Sequence, residues 1–173
     1  MTIKTERLVL RPFEMDDLDT THAYASDGTM NQYMLYLPNS SIDGTRRFLQ
    51  GAVAQWSKDK PQVYEFAVVL DGKHIGAVSA ALNEDGREAE IGWIIHKDYH
   101  SRGFATEAAK AVMDFTFDAL KAKKIVAHCD YRNAASIKIM EKIGLTLERD
   151  DGLRRNKGCD EDVQELMYSM SRD

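Results

Sequence analysis

The sequence predicts an α/β domain of the α+β kind, a mixed sheet with helices packed on it, and three observations carry that reading. Strand-like runs of period two alternate with helix-like runs of period 3.6 from one end of the chain to the other. Two Asp-Gly pairs punctuate three successive strand-like runs in the middle, the pattern of antiparallel hairpins. A helix-length stretch then separates "IGWIIH" from the buried-type run "KIVAHCD", and a connection of that length implies a parallel neighbour reached by a right-handed crossover.

The elements follow in order. "RLVLRPF" alternates and opens the chain as a strand, and Met15 to Ala25 is a short, weakly amphipathic helix. Residues 30–41, "MNQYMLYLPNSS", form an irregular aromatic-rich loop. Phe48, Leu49, Ala52, Val53 and Trp56 recur at helical spacing, which predicts a helix from Asp43 to Lys58. "YEFAVVL", "KHIGAVSAAL" and "REAEIGWIIH" are antiparallel strands joined at Asp71-Gly72 and Asp85-Gly86, pairs suited to type I′ turns. Phe104, Ala108, Val112, Phe115 and Ala119 predict a helix over 103–121, and "KIVAHCD" follows as a strand. Asn133, a favoured N-cap, opens a helix whose Ser136, Ile139, Met140 and Ile143 share one face and which Gly144 ends. "LTLERD" and "DVQELMYSM" close the chain as a hairpin with a long connection.

At 173 residues and 43% hydrophobic content the chain suits one domain, residues 1–173. Its apolar runs are too short to span a bilayer, and "MTIKTERLVL" lacks the basic-then-apolar layout of a signal peptide, so a cytoplasmic location without a membrane partner is expected. Cys129 and Cys159 have no metal or disulfide spacing. His96 and His100 are four apart, a metal spacing only on a helix, which this stretch is not, so no metal is expected. The net charge of −5 argues against a nucleic-acid partner. That charge is uneven, +3 over residues 97–142 and −8 elsewhere. The division suits a phosphorylated ligand at the basic block and a cationic one elsewhere, or a merely uneven surface.

The basic block contains "DYHSRGFATEAAKAVMDF", where Arg102, Gly103, Phe104, Ala105 and Thr106 stand between a strand and a helix. A helix beginning there leaves its first N–H groups unpaired and carries partial positive charge at that end. Small residues let a ligand approach the main chain, so the bend is either a structural turn or a pyrophosphate cradle. It is neither a dinucleotide fingerprint nor a Walker A loop, since GxGxxG and Gly-Lys-Ser/Thr are absent.

"YHSRGFATEAAKAVMDFTF" resembles the acetyl-coenzyme A motif of the GNAT (Gcn5-related) N-acetyltransferases, Gln/Arg-x-x-Gly-x-Gly/Ala, with Gly103 and Ala105 at the small positions and His100 in place of the usual Gln or Arg. "TERLVLRPFEMDDLD", "AEIGWII", "RNAASIKIMEKIGL" and "DVQELMYSM" resemble, in order, segments of the branch that includes the ribosomal-protein acetyltransferases RimJ and RimL. The resemblance implies a GNAT fold: a mixed, mostly antiparallel sheet of about six to seven strands, helices on both faces, and a splay between the fourth and fifth strands. It implies acetyl-CoA as co-substrate, direct transfer in a ternary complex, and a primary amine acceptor, either a protein N-terminus or a small-molecule amine; a homodimer is compatible with it. The acidity outside the basic block favours a cationic amine without choosing between a protein N-terminus, a polyamine, an amino sugar and an amino acid. An acyl-CoA sensor without transfer, or a generic phosphate-binding α/β domain, are the rival readings.

Transfer needs a neutral amine. A lysine-type amine of pKa ~10.4 is neutral about 0.04% of the time at pH 7, costing roughly 4.6 kcal/mol, whereas an α-amine near ~7.8 loses only about 1 kcal/mol. Glu90, which alternates with Gly92 and Ile94 in "EAEIGWII", is the expected general base. The resemblance places acetyl-CoA against Ile94, Ile95, residues 102–106, Asn133 and Ser136, with Ser136 also a candidate proton donor to the leaving thiolate and Tyr131 another. A main-chain N–H between Trp93 and Ile95 is expected to meet the oxyanion. By elimination the 30–41 loop and the 43–58 helix wall the acceptor pocket, with Tyr33, Tyr36 and Trp56 as linings, although an ordinary self-packed loop fits equally.

Overall fold

Phe66 to Val69 are buried without a break, and a strand buried on both faces needs a layer of helices on each side. The computed structural model has that arrangement and describes residues 1–172. Its elements run β1 (Ile3–Lys4), β2 (Leu8–Pro12), a 3-10 turn (Met15–Asp17), α1 (Leu18–Ala25), α2 (Ile42–Trp56), β3 (Val63–Leu70), β4 (Lys73–Leu82) and β5 (Glu88–Ile95). A second 3-10 turn (Lys97–Tyr99), α3 (Phe104–Asp118), β6 (Lys124–Asp130), α4 (Ala134–Lys142), β7 (Thr146–Arg154) and β8 (Val163–Ser171) follow. Among the described residues no helix is long and apolar enough to cross a membrane.

The strands form one open sheet in the order β1-β2-β3-β4-β5-β6-β8-β7. Among the described residues only β5 and β6 are parallel neighbours, because α3 carries the chain back over the sheet between them. The strand count is eight rather than six to seven, the addition being the two-residue β1. Asp71 and Gly72 both have positive φ, 47° and 77°, as a type I′ turn requires. The second Asp-Gly pair does not repeat the device. Only Gly86 has positive φ there, and its N–H donates to Asn83 across a longer turn.

On one face α1 and α2 pack Tyr24, Leu49 and Ala52 over Ala67 and Ala77. On the other, Phe104, Ala108, Val112 and Phe115 of α3 and Met140 of α4 pack over Phe66, Val68, Val78, Ile91 and Ile125. The helices thus lie on both faces, as expected.

The feature that positions the site is a parting of strands. β5 and β6 pair only from Glu88–Lys124 to Glu90–Val126, and both continue beyond, to Ile95 and Asp130. Each free end is tied elsewhere. Gly76 lets β4 press on the end of β5, where an added Cβ would meet the Ile94 carbonyl and lie 2.8 Å from Ile95 Cα. At the end of β6 the fully buried Asp130 accepts from Arg132 Nη2 at 2.6 Å and from Asn156 Nδ2 at 2.6 Å, tying β6 to the segment after β7.

Candidate functional site

The bend before α3 keeps its amides free. Gly103 is the N-cap with φ 82°, a left-handed conformation that a Cβ would strain, and no side chain caps the helix. The first N–H of the region to find a partner is that of Glu107, on the Gly103 carbonyl at 3.0 Å; among the described residues those of 101–106 donate to nothing. Phe104 anchors the turn, 2% exposed, with the guanidinium carbons of Arg7 and Arg102 at 4.5 and 4.9 Å from its ring centre. Arg7 also donates to the Arg102 carbonyl at 3.0 Å. His100 Nε2 donates to the Ile95 carbonyl at 2.6 Å, which fixes its tautomer and pins the loop to the end of β5.

These amides border a cavity of about 500 Å³ that the structure also lines with Ile94, Ile95, Asn133 and Ser136. Gly103, Phe104, Ala105 and Thr106 line it too; Arg102 does not, its side chain being turned onto Phe104. Asn133 accepts the Ser136 N–H at 3.1 Å as the cap of α4. The Ser136 hydroxyl, half-buried on the inward stripe, has no hydrogen-bond partner among the described residues. His96 N–H pairs with Ile75 across β4, so by the alternation of a ladder the N–H groups of Trp93 and Ile95 face the opposite side, into the gap.

Glu90 stands where the strands part. Its carboxylate is 57% exposed, accepts from His128 Nδ1 at 3.2 Å, and lies outside this cavity and outside a second one beneath α1 and α2. The carboxylate raises the His128 pKa above its ordinary value, chiefly through that hydrogen bond and against the opposing effect of burial. Tyr131 is 48% exposed.

A second cavity, about 400 Å³, adjoins the first through Met34, Trp93 and Ile94 and lies beneath α1 and α2. Tyr36 of the 30–41 loop and Phe48 of α2 wall it. Tyr33 and Trp56 do not: Tyr33 lies beside Arg132, and Trp56 packs edge-on against Phe66 while its Nε1 donates to the Glu65 carbonyl. Trp93 borders both cavities besides packing against the core. Glu65, absent from the sequence-based candidates, also lines this space. Burial alone pushes its carboxyl up to about 7. The available signal was a lone acidic residue inside the otherwise apolar run "VYEFAVVL".

Residues 7–146 match the family model described as "Acetyltransferase (GNAT) domain". The chain belongs to the GNAT acetyltransferase family. A GNAT relative from Bacillus subtilis, the uncharacterized N-acetyltransferase YnaD, is 31% identical over 151 residues, covering 86% of this chain and 84% of its own. The spermidine N(1)-acetyltransferase of Escherichia coli K12 is 29% identical over 140 residues, 80% of this chain and 73% of its own. Among solved structures, the ribosomal L7/L12 alpha-N-protein acetyltransferase RimL in complex with coenzyme A superposes with a TM-score of 0.87 at 18% identity, covering 99% of this chain and 98% of that one, a likeness of fold. The chain is an N-acetyltransferase of this family, and its neighbours include the RimL type.

Proposed function

We propose that this GNAT N-acetyltransferase moves the acetyl group of acetyl-CoA directly onto a primary amine. The observation that carries the reading is the row of unspent N–H groups at 101–106, bordering one cavity with Asn133, Ser136 and the free edge of β5. Unpaired donors at a helix start suit a pyrophosphate, and a Cβ at Gly103 would take up the left-handed turn only under strain. Acetyl-CoA supplies the activated acetyl group. The chain's own residues do the rest: N–H groups of 101–106 hold the diphosphate, the Trp93 and Ile95 N–H groups meet the oxyanion, Glu90, outside both cavities and held by His128, takes the amine proton through water, and Ser136 returns a proton to the thiolate. Relatives named for spermidine and for a protein α-amine leave both acceptor classes open at this level.

Coenzyme A is expected to raise the melting temperature saturably, because a ligand bound only to the native state must stabilise it. Gly103→Glu abolishes that rise. No shift at millimolar coenzyme A overturns the reading; a full shift with no thiol release across a broad amine panel favours an acyl-CoA sensor instead.

A further inference from the structure

Glu65 is the only charged residue among the described residues that line the second cavity. Register places it in a row: Glu65 pairs with Ser79 across β3 and β4, and Ser79 pairs with Gly92 across β4 and β5. Direct cross-strand partners share a face, so all three look toward α1 and α2. Gly92 lies on the strand that edges the gap, two strand spacings or roughly 10 Å from Glu65. The carboxylate is therefore a stem's length away from the amine to be acetylated.

The space between is mainly apolar, walled by Met34, Leu37, Phe48, Ala77 and Trp93. Two further polar groups line the same cavity. The Tyr24 and Thr21 hydroxyls are buried, in residues 3% and 1% exposed, and have no partner beyond a weak contact with each other. Buried polar atoms are nearly always fully paired, so two hydroxyls with at most each other, lining one cavity with an unpaired carboxylate, leave acceptor capacity for a donor from outside. An ammonium has three N–H groups and no acceptor; one carboxylate and two hydroxyls make a matching set.

Building on the N-acetyltransferase reading, we infer that Glu65, Tyr24 and Thr21 bind a second ammonium of the acceptor, which makes short α,ω-diamines the preferred substrate class. The productive form of a diamine has one neutral end and one charged end. The charged end meets the single carboxylate, and the apolar stem crosses the cavity wall. A third charge would face the apolar wall without a partner; a simple monoamine leaves Glu65 unpaired. The transfer is unchanged: a C–N bond forms at the neutral end, the thioester C–S bond breaks, and the proton lost by nitrogen ends on sulfur. A cation at this point also restores the ionised form of a carboxyl that burial alone pushes up to about 7. The groups facing it are Thr21 and Tyr24 from α1, Phe48 from α2, and Ser79 and Gly92 from the neighbouring strands, none of them an ion near neutral pH.

The test compares 1,4-diaminobutane with n-butylamine, at saturating acetyl-CoA and pH 8, in the wild type and in Glu65→Gln. The wild type is expected to favour the diamine in kcat/KM by about tenfold to a hundredfold, the range of a hydrogen bond to a charged group. In Glu65→Gln that preference disappears through a fall in kcat/KM for the diamine, KM for acetyl-CoA stays unchanged, and a retained coenzyme A melting shift shows the variant folded. Equal wild-type rates for the two amines, transfer only to peptide α-amines, or a preference that survives in Glu65→Gln each overturn the inference while leaving acetyl transfer standing. Coenzyme A binding with no transfer to any amine overturns the underlying reading as well.

Discussion

Replacing Glu65 by Gln changes how stability depends on pH, and the size of the effect follows from the site. Burial lifts this carboxyl from an ordinary 4.5 to about 7. Between those values the folded chain keeps a proton that the unfolded chain has lost, so stability falls as pH rises from 4.5 to 7 and is flat above. Two and a half pH units at 1.36 kcal/mol each give about 3 kcal/mol; water reaching the partly exposed side chain lowers this to about 2 kcal/mol. Gln carries no titration. The variant therefore gains on the wild type by about 2 kcal/mol between pH 4.5 and pH 8, or roughly 4–8 °C in Tm for a chain of this size. Melting both proteins at the two pH values reads the difference directly, because other titrating groups cancel. A Tm difference that is the same at pH 4.5 and pH 8, or that moves against Glu65→Gln as pH rises, refutes the reasoning.

Two further substitutions probe the frame and the chemistry. Asp130→Ala leaves Arg132 and Asn156 without their acceptor and costs about 3–5 kcal/mol in urea unfolding. Arg132 and Asn156 hold the Asp130 pKa below its usual value against the effect of burial, so its contribution is present above the ordinary carboxylate range and lost as pH falls through the lowered value; the variant's deficit shrinks in acid. Glu90→Gln leaves the coenzyme A melting shift intact and lowers kcat by about a hundredfold if the carboxylate takes the amine proton; an unchanged kcat moves that role elsewhere.

What the sequence could disclose was local. The cradle is a run of adjacent residues whose spacing sets the end of one helix, and the cap Asn133 with the inward Ser136 is likewise written within four positions. The three-strand middle was legible because Asp71-Gly72 turns tightly, and the parallel step because α3 is long enough to cross the sheet. Glu65 was hidden for the opposite reason. Its relation to Ser79 and Gly92 depends on the register of three strands, and its isolation depends on α1 and α2 closing over it. Alternation put Glu90 on the face of Gly92, yet only the early parting of β5 and β6 exposes its side chain to His128. The order β6-β8-β7 was also out of reach, since a hairpin can add to a sheet by either of its strands.

The central claim is that the amides of 101–106 are free in the protein and are spent on the diphosphate of the donor. Amide hydrogen exchange with and without coenzyme A tests it most directly: unpaired N–H groups should exchange fast in the free protein and slow on binding, at Arg102 to Thr106 above all. Protection already present without coenzyme A, or binding that slows exchange elsewhere and leaves this bend unchanged, would contradict the account.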